Sequence, residues 1–142
     1  MKKLKFIILV ICLFFNTTCY ASDITVTIND IPIEFDVQPI IQNNRTLVPM
    51  RKIFEELGCE VEWLSETQTI IATQNNKIIA LQINKNKIII NDISTGITKL
   101  IELDTAPILH NNKTLVPVRA ISETLGYNVD WNNQTRTVII TK

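Results

Sequence analysis

The chain has one histidine, three glycines, three cysteines and no net charge. Each shortage closes a class of function. With His110 alone there is no HExxH zinc helix and no histidine-rich metal cage, and no serine is marked as a partner for a hydrolytic triad. Gly58, Gly96 and Gly126 are too far apart to cradle a phosphate, so nucleotide-binding loops are excluded. Cys12 and Cys19 fall in the first segment of the chain, which leaves Cys59 without an intrachain partner and rules out a disulfide framework. Balanced charge gives no basic stripe for nucleic acid and no polybasic patch for a membrane surface. Beyond Phe15 no long apolar run occurs, so no later membrane span is expected.

The first 21 residues read as a secretory leader. Lys2, Lys3 and Lys5 form its basic start and Phe6–Phe15 its apolar run, which is too short for a comfortable span. Cys19 and Ala21 supply small residues at the −3 and −1 positions, so cleavage is expected after Ala21. Retention as an anchor is the alternative. Lipidation at Cys19 is disfavoured, because no Leu-like residue stands third before it. The expected location is secreted or cell-wall associated. Three lysines leave with the leader and no acid does, so the equal counts of 14 become an acidic excess of three. Residues 22–142 amount to one domain.

What the sequence does have is a repeat. Residues 39–73 (PIIQNNRTLVPMRKIFEELGCEVEWLSETQTIIAT) return as 107–141 (PILHNNKTLVPVRAISETLGYNVDWNNQTRTVIIT) at a constant, ungapped offset of 68 positions. Such a repeat points to one duplicated supersecondary unit whose halves complete one core. Alternation predicts a hairpin over 24–36, turning at Asn29-Asp30, with Pro32 placing the return strand at an edge. A matching hairpin is expected over 87–103, turning at Asn91-Asp92 through a longer loop that reaches Lys99. Pro49 and Pro117 fit first helical turns, and Met50, Ile53, Phe54 and Leu57 form one apolar helical face. Helices are therefore expected near 49–57 and 117–125, stopped by Gly58 and Gly126 in left-handed conformation. Strands follow each glycine, with Cys59, Val61 and Trp63, and likewise Tyr127, Val129 and Trp131, on the core side. One further strand, 77–83, occurs only in the first half. The expected fold class is α+β, with repeat units of about 24–83 and 86–142, each a β-hairpin–helix–hairpin.

The paired segments TLVPMRKIFEELG…VEW and TLVPVRAISETLG…VDW resemble the copper amine oxidase N-terminal-like family. This is the stalk module of exported Gram-positive proteins, and it is related to the first domain of some copper amine oxidases. The resemblance covers residues 22–142 almost entirely. It implies an antiparallel sheet curled around short helices, outside the membrane. It does not imply oxidase activity, which lives in a separate catalytic domain needing three copper-binding histidines and a quinone-forming tyrosine. Here His110 stands in an Asn-rich turn opposite Gln42 in the repeat, and Tyr127 lies on a core-facing strand. No catalytic residue, cofactor or metal is expected.

Two duplicated pairs are candidate ligand contacts. Arg51 and Arg119 sit in first helical turns, where a cation opposes the helix dipole and needs a compensating partner. Each can pin its helix to a carboxylate, Glu55 or Glu123, or to a strand carbonyl; the alternative is a pair of anion or glycan contacts. Trp63 and Trp131 are either packing platforms for the helices or stacking surfaces for sugars. The function expected is a non-catalytic exported module that binds a cell-wall polymer or an extracellular protein, or acts as a spacer. An enzyme of unrecognised type is the alternative.

Overall fold

The computed structural model describes residues 22–142. The leader expected over 1–21, with its cleavage site, lies outside the described residues. Thirteen strands and two helices follow in order: β1 (Thr25–Ile28), β2 (Ile31–Pro32), β3 (Ile40–Gln42), β4 (Arg45–Pro49), α1 (Met50–Glu56), β5 (Glu60–Leu64), β6 (Thr69–Gln74), β7 (Lys77–Gln82), β8 (Lys87–Asp92), β9 (Ile97–Glu102), β10 (Ile108–His110), β11 (Lys113–Pro117), α2 (Val118–Thr124), β12 (Asn128–Asn132) and β13 (Thr137–Thr141). The architecture is mostly antiparallel sheet with two short helices, an α+β fold.

The single curled sheet is corrected to three sheets, ordered β12-β13-β1-β2, β10-β11-β4-β3 and β5-β6-β7-β8-β9. One pairing is parallel: β1 lies on β13, with Thr25 opposite Thr137 and Ile28 opposite Ile140. In the first half β7 stands between β6 and β8, pairing antiparallel with both. In the second half β13 stands between β12 and β1.

The central sheet joins the two halves. Its inner strands β4 and β11 pair antiparallel with Val48 opposite Val116, residues 68 apart. Helix α1 packs on β11 as well as on β4, and α2 on β4 as well as on β11. Val48, Ile53, Phe54, Leu57, Val116, Ile121 and Leu125 form one buried cluster with Val26, Ile70, Ile88 and Ile140 from the outer sheets. Neither seven-residue helix would persist alone, and each is held by this packing.

Local chemistry sets the boundaries. Pro49 and Pro117 end a strand and cap a helix, one residue before the first turn where they were expected. At the other end Gly58 and Gly126 have φ of +85° and +84°. Cys59 N–H donates to Phe54 C=O at 2.9 Å and Gly58 N–H to Glu55 C=O at 2.9 Å; Tyr127 to Ser122 and Gly126 to Glu123 repeat both bonds. This is the Schellman arrangement. Asn29-Asp30, Asn43-Asn44 and Asn111-Asn112 all have positive φ, as two-residue hairpin turns require. His110 accordingly ends strand β10 beside its turn, opposite Lys113.

Asn91-Asp92 behaves otherwise. Strand β8 runs through both, and the turn falls at 93–96, so β9 begins at Ile97 and the expected longer loop is not formed. Asp92 accepts hydrogen bonds from the Ser94 and Thr95 amides at 3.0 and 3.2 Å, and Gly96 takes φ +67°. The Ser94 hydroxyl hydrogen bond to Asp92 holds this carboxyl below its usual range. A capped four-residue turn with a left-handed glycine thus replaces the two-residue turn.

Candidate functional site

A cleft of about 630 Å³ opens beside the first turn of α2. Its walls come from the β3–β4 turn, the end of β9 with Leu103–Thr105 after it, the start of α2, and β12 with the turn that follows. Arg119 and Trp131 both line it, together with Arg45, Arg136, Asp104 and Asn133. Arg51 and Trp63 do not. The structure therefore brings together one member of each duplicated pair and leaves the other member elsewhere.

The helix-pinning role of the arginines is visible in both halves. Arg119 Nη1 donates to the Val129 carbonyl at 2.7 Å and to Glu123 Oε1 at 3.3 Å. Arg51 Nη1 reaches the Val61 carbonyl at 3.4 Å, with Glu55 at 3.7 Å. The tighter geometry is on the cleft side. Both guanidiniums keep unused donors, since each carries five N–H groups.

Both tryptophans are half-buried and packed against the core, so neither is the fully enclosed platform expected of a core position. Strands β5 and β12 are edge strands, and a ring at an edge keeps one side open. Cys59 is buried, and that burial pushes its thiol up to about 11. It therefore stays a protonated, inert small hydrophobe at neutral pH.

Two ion pairs went unnoticed in the sequence. Arg45 Nε donates to Asp104 Oδ2 at 2.9 Å and a second guanidinium nitrogen binds the same oxygen. Lys113 Nζ lies 2.8 Å from Asp36 Oδ2, and its hydrogen bond holds the Asp36 carboxyl below the usual range. Asp36 and Asp104 are 68 positions apart, as are Arg45 and Lys113. Each acid pairs with the base of the other half, not with the one nine residues along its own segment. The readable signal was that the repeat extends upstream of residue 39 to include the aspartate. The Arg45–Asp104 pair forms one rim of the cleft.

Among the described residues two side-chain hydroxyls are buried without a partner, Thr105 Oγ1 and Ser122 Oγ. Thr105 belongs to the cleft wall. Ser122 occupies the position held by Phe54 in α1.

The cleft sets an indole beside guanidinium and carboxylate groups. Among the described residues no three His, Cys, Asp or Glu side chains converge on a point that could hold a metal. His110 does not line the cleft. Among the described residues no helix is long and apolar enough to cross a membrane. A comparison with characterised proteins found no match. A family model described as the copper amine oxidase N-terminal domain matches residues 27–140, which is nearly all of the described chain. The twice-occurring proline-started helix, its glycine stop and its following tryptophan strand all fall within that match, and the chain belongs to the copper amine oxidase N-terminal domain family, a domain that is not catalytic by itself.

Proposed function

We propose that the protein is exported by its leader and serves outside the membrane as a binding module for a cell-wall glycan. The observation that carries this reading is the meeting of Trp131, Arg119 and the Arg45–Asp104 pair in one cleft. A half-open indole offers a flat apolar face to a sugar ring. Around it stand planar polar groups that already satisfy one another and still have spare donors and acceptors. Such a mixed rim suits neutral hydroxyls better than a dense polyanion, because the carboxylates of Glu102, Asp104, Glu123 and Asp130 stand among its arginines Arg45, Arg119 and Arg136. A spacer role without a ligand is the plainer reading, and the one-sided placement of Arg119 and Trp131 speaks for binding instead.

We also infer that the two halves descend from one duplicated unit. Supporting this are the pairing of Val48 with Val116, the exchange of helix packing, and the crossed ion pairs. Superposition of 39–73 on 107–141 tests it; two unrelated backbone paths would sink it.

For the glycan reading, the purified protein is titrated with soluble fragments of wall glycan while tryptophan fluorescence is followed. Saturable binding is expected, lost in Trp131→Ala and Arg119→Ala and kept in Trp63→Ala and Arg51→Ala. Absence of binding, or equal losses on both sides, would refute the assignment of the cleft.

A further inference from the structure

The six sheet edges among the described residues are not equally protected. Strand β2 has two residues and ends in Pro32; β3 and β10 have three each. Strand β5 shows Glu60 and Glu62 to solvent, and β12 shows Asn128 and Asp130. Short length, proline and outward charge are the usual devices that stop an edge from pairing. Strand β9 has none of the first two. It is six residues long (ITKLIE), exposed throughout, free of proline, and in unbroken register with β8 from Lys87–Glu102 to Asp92–Ile97.

Backbone parity shows which groups of β9 are free. Leu103 N–H donates to Asn86 C=O at 3.0 Å on the far side of the same ladder, and Ile93 N–H donates to Asn76 C=O at 2.7 Å on the β7 side of β8. Hydrogen-bonded and non-bonded pairs alternate in an antiparallel ladder. Ile97, Lys99 and Ile101 therefore turn their amides and carbonyls to β8, and Thr98, Leu100 and Glu102 turn theirs outward. The outward face of the sheet carries a matching apolar row. Ile71 lies opposite Ala80, Ala80 opposite Ile89, and Ile89 opposite Leu100. Leu100 is 57% exposed and Ile89 45%. The row runs out to the edge and stops there without a cover.

We propose that β9 pairs with β9 of a second copy, antiparallel, about a two-fold axis through Leu100. An axis perpendicular to the sheet keeps inner faces with inner faces, so only registers centred on a residue are allowed. Centring on Leu100 sets Thr98 against Glu102 and Leu100 against Leu100, and every outward N–H meets an outward carbonyl. Centring on Lys99 places the two lysines opposite each other and leaves Glu102 beyond the other strand's end. Centring on Ile101 leaves Thr98 unpaired. The chosen register also continues the apolar row from Ile71 across the axis to Ile71 of the second copy, and it opposes no like charges directly. The occupant follows from this match: the strand complements itself in one register better than in its neighbours. In that register Gly96 of the second copy falls opposite Asp104, at the cleft rim, so the two copies would meet beside both clefts. The proposal does not depend on what the cleft binds.

Sedimentation of the purified protein over a wide concentration range tests it, with circular dichroism as the check on folding. A reversible monomer–dimer equilibrium is expected. Leu100→Lys places two cations on the axis, and Thr98→Pro removes an outward N–H while sparing the ladder to β8. Each should weaken the dimer at least about tenfold. Leu64→Lys, on the opposite edge of the same sheet, should leave it unchanged. If Thr98→Pro loses its fold, Leu100→Lys decides alone. A wild-type protein that stays monomeric throughout, a dimer indifferent to Leu100→Lys, or one equally weakened by Leu64→Lys would overturn the proposal.

Discussion

Replacing Gly58 and Gly126 by alanine separates backbone strain from packing at two equivalent helix stops. Both glycines hold φ near +85°, and both donate the inner bond of a Schellman motif. An L-residue in left-handed conformation costs roughly 1–2 kcal/mol. Alanine also stiffens the unfolded chain, which returns roughly 0.4–1 kcal/mol. Strain alone therefore predicts a net loss of about 1 kcal/mol at each site. The surroundings differ. A Cβ on Gly126 would meet nothing within 4 Å, whereas one on Gly58 would stand 3.4 Å from Gln74 Nε2. That amide donates to the Leu57 carbonyl at 2.6 Å, closing the end of α1. A Cβ at 3.4 Å asks the flexible amide to give by a few tenths of an ångström at most, which weakens its hydrogen bond without breaking it and adds roughly 0.5 kcal/mol. Gly58→Ala should thus destabilise by about 1.5 kcal/mol and Gly126→Ala by about 1. Urea unfolding followed by circular dichroism reads both, and with m near 1–1.5 kcal/mol/M the midpoints should fall by about 1.2 M and about 0.8 M. Equal midpoints, or Gly126→Ala the worse of the two, would refute the role given to Gln74. Unchanged midpoints in both would refute the strain argument.

Trp63→Ala and Trp131→Ala should each cost about 2 kcal/mol, below the range for enclosed aromatics because both rings are half-open; a mutant with wild-type unfolding midpoint would detach that ring from the core. Cys59 predicts an alkaline effect. Its folded-state thiol is raised from 9.0 to about 11, so the unfolded thiol ionises first. This contribution is whole below pH 9 and drains away as pH rises towards 11, and Tm measured against pH should fall more steeply in the wild type than in Cys59→Ala; parallel curves would contradict it. Calorimetric titration with copper should show no tight stoichiometric site, since copper needs several nitrogen or sulfur ligands in fixed geometry; one tight copper per chain, abolished by His110→Ala, would reverse this.

Elements carried by local chemistry were legible in the sequence. Helix starts and stops follow from proline, a 3.6-residue apolar face and glycine, and the structure places α1 and α2 within a residue or two of the expected bounds. What failed was of two kinds, a turn captured by competing local hydrogen bonds and a strand pairing between distant parts of the chain. Asn91-Asp92 copies Asn29-Asp30 in sequence, yet the hydroxyl and amides of Ser94 and Thr95 and the freedom of Gly96 capture Asp92 into a different turn. The parallel β1–β13 pair joins the start of the described chain to its end, and no periodicity encodes which edge a strand will choose. Arg119 and Trp131 were visible as candidates, but so were Arg51 and Trp63, and sequence symmetry gave no reason to separate them.

The separation has a structural origin. Two identical halves joined by a two-fold would make two identical surfaces, and a distinctive site needs that symmetry broken. The break lies in the hairpins that precede the central sheet. In the second half β8 and β9 are six residues each, and the end of β9 continues through Leu103 to Asp104 and Thr105 as one wall of the cleft. In the first half the returning strand β2 has two residues and stops at Pro32. The short hairpin is then drawn off to pair with β13, while the long one is fixed to β7. The long hairpin thus supplies the wall beside Arg119, and its outer strand β9 is a six-residue edge free of proline. If that edge closes on a second copy, the symmetry lost within the chain returns between chains. Two clefts then face a polymer at once, and linked sites gain avidity without any new contact at either.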